Sequence, residues 1–389
     1  MNSILTGSPW PLGGQARARL RVMLVGAQFL ALGLTMGAWA TQLPALQTRF
    51  GYTAQALSAV LLVMAAGAVL AFLGCARLMR AIGPRSFVRV TGPLAGYALV
   101  GTMLVDETLP LAVLAFVLGW ASAAFDVAIN SSAVELERDH GRSLMSKLHA
   151  MFSLGGVLAA AAAASVDWSG LHPLWLAAPA ALLISLLALA APETRAAAPL
   201  ARTGSAAGAA GLPWRIALAA LLCLLCEGTM YDWSAVYMAQ VWTMPLGLSV
   251  AGFGLFSAAM AFGRFSGDAL RDRFGGAAVL WPGCLLAAAG ALLCVFAGHA
   301  ALALLGFVLV GLGLSNVIPI LFALAPRAGS ASPESAIAFV SGVGFAGFLI
   351  GPALVGLWSA LASFETSLLI VVAAALGSGV LASGRALRR

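Results

Sequence analysis

Twelve stretches of this chain stay apolar for about 18 residues or more, and charge, Pro or Gly separates each from the next. A helix rises 1.5 Å per residue, so each run is long enough to cross the roughly 30 Å hydrocarbon layer of a bilayer. The runs are continuous and do not alternate, which excludes an outer-membrane β-barrel. Helices are expected near 21–45, 54–76, 86–105, 110–134, 145–166, 171–191, 215–240, 248–268, 277–297, 301–324, 335–359 and 363–384. The expected fold is an all-α membrane protein with twelve transmembrane helices. The composition agrees: 61% of residues are hydrophobic and 9% charged, against about 25% charged in a soluble domain. The hydrophilic breaks leave no room for a soluble nucleotide-hydrolysing domain. The start, Met1 to Gln15, is polar and carries Gly and Pro, so no cleavable signal peptide is expected.

Orientation follows from Lys and Arg, which gather on the cytoplasmic side of spanning helices. With the N-terminus inside, the cytoplasmic segments hold 20 of the 21 Lys and Arg residues, and only Arg49 falls outside. Arg264, Arg271 and Arg273 are counted with the inner group. The net charge of +7 is therefore an orientation signal and not a nucleic-acid patch. Both termini are expected in the cytoplasm, and the host membrane is expected to be the bacterial inner membrane.

The longest break runs from Pro192 to Pro213 and is rich in Ala, Gly, Pro, Thr and Ser. Six spans lie on each side of it. The expected units are an N-terminal six-helix bundle over 1–191, a linker over 192–213 and a C-terminal six-helix bundle over 214–389. The halves also echo each other. Arg21 precedes Trp39 by 18 residues, as Arg215 precedes Trp233. Gly83 follows the second span as Gly275 follows the eighth, and Gly119 opens the fourth as Gly311 opens the tenth. Two pseudo-symmetric halves in parallel repeat imply a binding site between them, near the bilayer midplane.

A few polar residues lie deep in these runs. Asp126 stands 12 residues before Arg138 and Glu227 stands 12 after Arg215, roughly 18 Å from the inner face. Thr35 and Asn316 fall at similar depth, so one polar layer collects Thr35, Asp126, Glu227 and Asn316 from spans one, four, seven and ten. A carboxylate at such a depth costs about 2.5–3.5 kcal/mol on insertion scales, so it has a function or a partner. Asp126 is either neutralised by a neighbour or loads and releases a proton, since burial disfavours its charged form. Asn130 lies four residues on, on the same helix face, and either bonds another helix or shares the Asp126 site. Glu227 shares a face with Tyr231; it either pairs with another intramembrane group or meets substrate. His149, a few residues inside span five, either bonds Asn130 or takes part in proton transfer. Trp39 and Trp233 are interfacial belt residues or gate aromatics that stack on a sugar-like ring.

Other chemistries find no footing. Cys75, Cys223, Cys226, Cys284 and Cys294 all lie in apolar runs and read as small packing residues. There is no phosphate-cradling loop, no metal-ligand spacing and no nucleophile triad, so neither an enzyme nor a bound cofactor is expected.

The sequence Gly267-Asp268-Ala269-Leu270-Arg271-Asp272-Arg273-Phe274-Gly275 resembles the loop marker of the major facilitator superfamily. The resemblance assigns Asp272, Arg273 and Gly275 to a gating loop. The first-half copy departs from the pattern, with Arg80 where an acid is expected. Four further stretches look like the MosC-like (YbjJ-like) branch of bacterial permeases: Trp39–Pro44, Phe125–Asn130, Ser146–Gly156 and Glu227–Tyr237. One member of that branch is tied to rhizopine, an inositol-derived compound. The acid-x-x-x-Asn pattern at Asp126 and Asn130 is similar to the fucose–proton symporters, whose acid there is Glu. The resemblance implies a secondary transporter for a small sugar-, polyol- or inositol-like solute, coupled to protons, and the chain is expected to act as a monomer. The rival readings are an exporter or uniporter of a metabolite or drug, and a membrane sensor that does not transport.

Overall fold

The computed structural model describes residues 14–141, 144–192, 213–327 and 333–383. Among these residues every regular element is helical. The first half holds α1 (Gly14–Phe50), α2 (Ala54–Ile82), α3 (Pro84–Leu104), α4 (Thr108–His140), α5 (Met145–Trp168) and α6 (Leu174–Leu189). The second holds α7 (Trp214–Gln240), the single turn α8 (Leu246–Ser249), α9 (Ala251–Phe274), α10 (Gly276–Val295), α11 (Ala300–Leu314), α12 (Val317–Leu324), α13 (Pro333–Leu361) and α14 (Leu369–Ala382). Among the described residues, eleven helices are long and apolar enough to cross a membrane. The linker expected over 192–213 lies almost wholly outside the described residues.

Three elements differ from the sequence reading. Span ten is not one helix but α11 and α12, broken at Ser315 and Asn316. Pro319 explains the break, because it has no N–H to give to the carbonyl of Ser315. Span twelve opens with a 3-10 turn over Glu365–Leu368 before α14 begins. The sixth span, α6, has 16 residues, about 24 Å, shorter than the hydrocarbon layer. Its C-terminal carbonyls gain donors from α3: Arg85 Nε lies 3.1 Å from the Ala191 oxygen and Arg89 Nε 3.2 Å from that of Leu189. Cations are favoured at that pole of a helix.

The packing repeats. α1 lies on α5 as α7 lies on α13, α2 on α4 as α9 on α11, and α3 on α6 as α10 on α14. The turns repeat as well. Gly83 between α2 and α3 has φ 82° and ψ 148°, and Gly275 between α9 and α10 has φ 83° and ψ 153°. That left-handed conformation is open to Gly and strained for a residue with a Cβ. Gly119 of α4 packs on the Met64 carbonyl of α2, and Gly311 of α11 on the Phe256 carbonyl of α9, each where a Cβ has no room. These are the glycine pairs whose spacing marked the repeat.

Two six-helix bundles result, each with its own buried core. They touch along α5–α9, α2–α13 and α1–α7, pairs that map onto each other or onto themselves under the repeat. At the end holding Tyr52 and Pro245 the bundles interlock. Trp233, Val236 and Val250 pack into the first-half core, and the Gly247 N–H donates to Asp167 Oδ2 at 2.8 Å. The other end, with the Gly83 and Gly275 turns, carries most of the Arg residues.

Candidate functional site

The interior polar groups sort by the helix that carries them. On α7, residues 227, 231 and 234 recur at a spacing that puts them on one face. Glu227 Oε2, the Tyr231 hydroxyl and Ser234 Oγ are all buried and, among the described residues, without a hydrogen-bond partner. Aromatic rings surround Tyr231: Phe253 edge-on at 4.8 Å, and Phe152 and Phe348, each at 6.1 Å. Phe152 comes from the first bundle and the other two from the second, so this face of α7 looks onto the junction of the halves.

Glu227 has a partner on its other oxygen. Arg264 Nη2 on α9 donates to Glu227 Oε1 at 2.7 Å, and both residues are 8% exposed. Arg264 Nη1 also donates to Ser153 Oγ on α5 at 3.0 Å. This corrects the orientation reading, which placed Arg264 with the loop cations. It lies ten residues before Phe274, about 15 Å inside the end of α9. The positive asymmetry loses one member and stays strong. Two charges in a low-dielectric interior are tolerated when they neutralise each other and their remaining atoms are hydrogen-bonded.

Asp126 and Asn130 form a second group. Asn130 Nδ2 donates to both the backbone oxygen and Oδ1 of Asp126, each at 2.9 Å. Both side chains are part-exposed, and among the described residues no cation is paired with Asp126. His149 stands edge-on to Phe29 with centroids 5.1 Å apart, and among the described residues it makes no bond to Asn130.

Asn316 sits at the break between α11 and α12. Its Nδ2 donates to the Gly263 carbonyl at 2.9 Å and to Ser315 Oγ at 3.0 Å, while Oδ1 is buried without a partner. Gly263 precedes Arg264, so Asn316 steadies the backbone that carries the cation. Thr35 takes no part in this group: it is fully buried, and its hydroxyl donates to the Ala31 carbonyl of its own helix at 2.8 Å. Trp39 and Trp233 are both wholly buried, which removes the lipid-facing belt reading. Asp272 and Arg273 are exposed on the last turn of α9, with the Arg273 guanidinium 5.2 Å over the Phe274 ring.

The sequence reading missed Arg264, Ser153 and Ser234. A signal for Arg264 was present, since it falls within the apolar window Leu246–Gly267 that spans the membrane.

Comparison with known proteins bears on the family and the fold. An uncharacterized MFS-type transporter of Yersinia pestis is 32% identical over 371 residues, covering 93% of this chain and 94% of that protein. The membrane protein MosC of Rhizobium meliloti is 28% identical over 373 residues, covering 93% of this chain and 90% of MosC. Among solved structures, the E. coli fucose:proton symporter FucP superposes with a TM-score of 0.64 at 18% identity, over 94% of this chain and 98% of FucP. The nucleoside transporter NupG superposes with a TM-score of 0.70 at 13% identity, over 92% of this chain and 98% of NupG. The profile of the Major Facilitator Superfamily matches residues 24–333, and the chain belongs to that family of membrane transporters.

Proposed function

We propose that this transporter moves a small polar solute of sugar, polyol or inositol type by alternating access, and that Asp126 carries a coupling proton. One observation carries the solute class. Glu227 Oε2, the Tyr231 hydroxyl and Ser234 Oγ line up on α7, buried and without partners, beside the rings of Phe152, Phe253 and Phe348. Each orphaned polar group costs about 1–3 kcal/mol, which a ligand rich in hydroxyls offsets by donating to the carboxylate and exchanging bonds with the two hydroxyls. The rings suit the apolar face of a sugar or cyclitol. Arg264, a cation buried inside the bundles, is already paired with Glu227, which argues against an anionic solute.

The proton reading rests on Asp126, a part-exposed carboxylate without a paired cation that Asn130 supports. An amide both donates and accepts, so Asn130 can bond either protonation state. FucP, which shares the fold, is a fucose:proton symporter, and NupG is a nucleoside transporter; both carry hydroxyl-bearing solutes. In this reading the bundles of 1–191 and 214–389 are the moving units and 192–213 is their linker. The protein works as a monomer in the bacterial inner membrane with both termini in the cytoplasm.

The test is a thermal-shift screen of the purified protein against fucose, myo-inositol, other polyols, amines and carboxylates. Any stabilising compound then goes into proteoliposome uptake with an imposed proton gradient. Stabilisation and pH-driven uptake of a polyol or sugar are expected. Stabilisation by carboxylates alone overturns the solute class.

A further inference from the structure

Arg264 contacts both bundles. Its two terminal nitrogens reach Glu227 on α7 and Ser153 on α5, and its own backbone carbonyl accepts from Ser146 Oγ on α5 at 3.0 Å. Ser146 and Ser153 are seven residues apart, two turns along one face of α5. Two hydrogen bonds thus cross from the first bundle to one residue of the second, at a place where α5 and α9 lie close. Gly156 of α5, a turn beyond Ser153, packs against Ser257 and Phe253 of α9.

We propose that Arg264 is a positioning residue for the transport movement: it ties α5 to α9, and the Glu227 carboxylate holds the tie in place. The physical argument is that a planar guanidinium can serve two acceptors at once in a fixed fork. Glu227 fixes one side of the fork and supplies the counter-charge, and Ser153 takes the other. When the carboxylate turns away, for instance to a solute at the α7 face, the cation loses its partner. A bare cation in this interior is costly, so it withdraws towards water at the Gly275 end and lets go of Ser153. The α5–α9 contact then loosens on that side. Occupancy of the α7 face is thereby passed through Arg264 to the α5–α9 junction between bundles. The inference uses the alternating movement of the bundles but neither the solute class nor the proton.

The experiment places spin labels on Lys147→Cys in α5 and Ala269→Cys in α9, both exposed at the Gly275 end, in full-length protein in lipid nanodiscs. The five native cysteines are buried. Distance distributions and melting temperatures are recorded for the parent, Ser153→Ala, Glu227→Gln and the double variant Glu227→Gln/Arg264→Gln. In each variant the population at the longer distance is expected to rise several-fold over the parent, with Ser153→Ala doing so while the ion pair remains. Melting temperatures that fall while all distributions stay at the parent's would make Arg264 a packing residue and overturn the proposal. No solute is needed, so a failed solute screen leaves this result standing.

Discussion

The indole N–H of Trp233 donates to the Pro352 carbonyl at 3.2 Å, and the Ser58 hydroxyl reaches the same oxygen from the other bundle at 3.3 Å. The missing N–H of Pro352 frees the Phe348 carbonyl one turn back, not its own; a carbonyl oxygen has two lone pairs and can serve more than one donor. One oxygen thus joins α7 and α13 of the second bundle to α2 of the first. Trp39, the counterpart of Trp233 in the repeat, is equally buried but its N–H has no partner. The repeat is close in backbone and unequal in its polar bonds.

Trp233→Phe keeps a ring against Phe364, which stands 5.3 Å away, and removes the bond to Pro352. A loss of about 1 kcal/mol is expected, the usual net value of one hydrogen bond. Ser58→Ala should cost a similar amount or less. Together they should increase alkylation of a cysteine introduced at Ala54, half-buried at the start of α2 beside Gly356. Unchanged labelling in the double variant would show that this carbonyl does not hold the Tyr52 end shut.

For Glu227 and Arg264 the expected signature is non-additivity. Removing one partner of a buried pair leaves an uncompensated charge and costs about 3–5 kcal/mol, whereas removing both is far milder. Glu227→Gln should therefore melt at a lower temperature than Glu227→Gln/Arg264→Gln. A double-mutant cycle with no coupling energy would contradict the pairing at 2.7 Å.

Much of this fold was legible because long apolar runs have few physical solutions in a bilayer. The repeat was legible too, since Gly83 and Gly275 mark turns that demand a positive φ. The site was less so. Helix rise converts residue number into depth, which is how Thr35 entered the polar layer, but depth says nothing of azimuth, and Thr35 faces its own helix. Arg264 read as a flank because a long side chain near a helix end commonly reaches water. Its partner Glu227 lies 37 residues away on another helix, and only packing brings the two together. Asn316 entered as a site residue by depth; its place at a helix break needed Pro319 to be weighed as well.

Topology can be checked directly. The Lys and Arg asymmetry predicts that a reporter fused at the C-terminus is cytoplasmic and that one inserted near Asp106 is external. Asp106 pairs with Arg49 at 3.2 Å at the Tyr52 end, which makes that insertion site the far side of the bundle from the Gly275 turn. A C-terminal reporter found outside would reverse the orientation of every span.

The last prediction concerns Asp126. Asn130 Nδ2 lies 2.9 Å from its Oδ1, and the same nitrogen holds the backbone oxygen one turn back. The neighbour that fixes Asp126 is thus an amide, which tolerates both protonation states, and not a cation, which would hold the charge on. Arg264, by contrast, pairs with Glu227 at 2.7 Å. Asp126→Asn imitates the protonated form without altering shape. Solute binding should persist in that variant, and exchange of solute across the membrane should continue. Accumulation driven by a proton gradient should fall to the level of empty liposomes, and solute-induced proton movement should vanish. Asp126→Glu should restore part of both, because a carboxylate returns one methylene further out. The measurements are counterflow, gradient-driven uptake and proton movement in proteoliposomes of the parent and the two variants. If Asp126→Asn still concentrates solute under a proton gradient, the coupling proton is carried elsewhere, and Glu227 becomes the first residue to substitute.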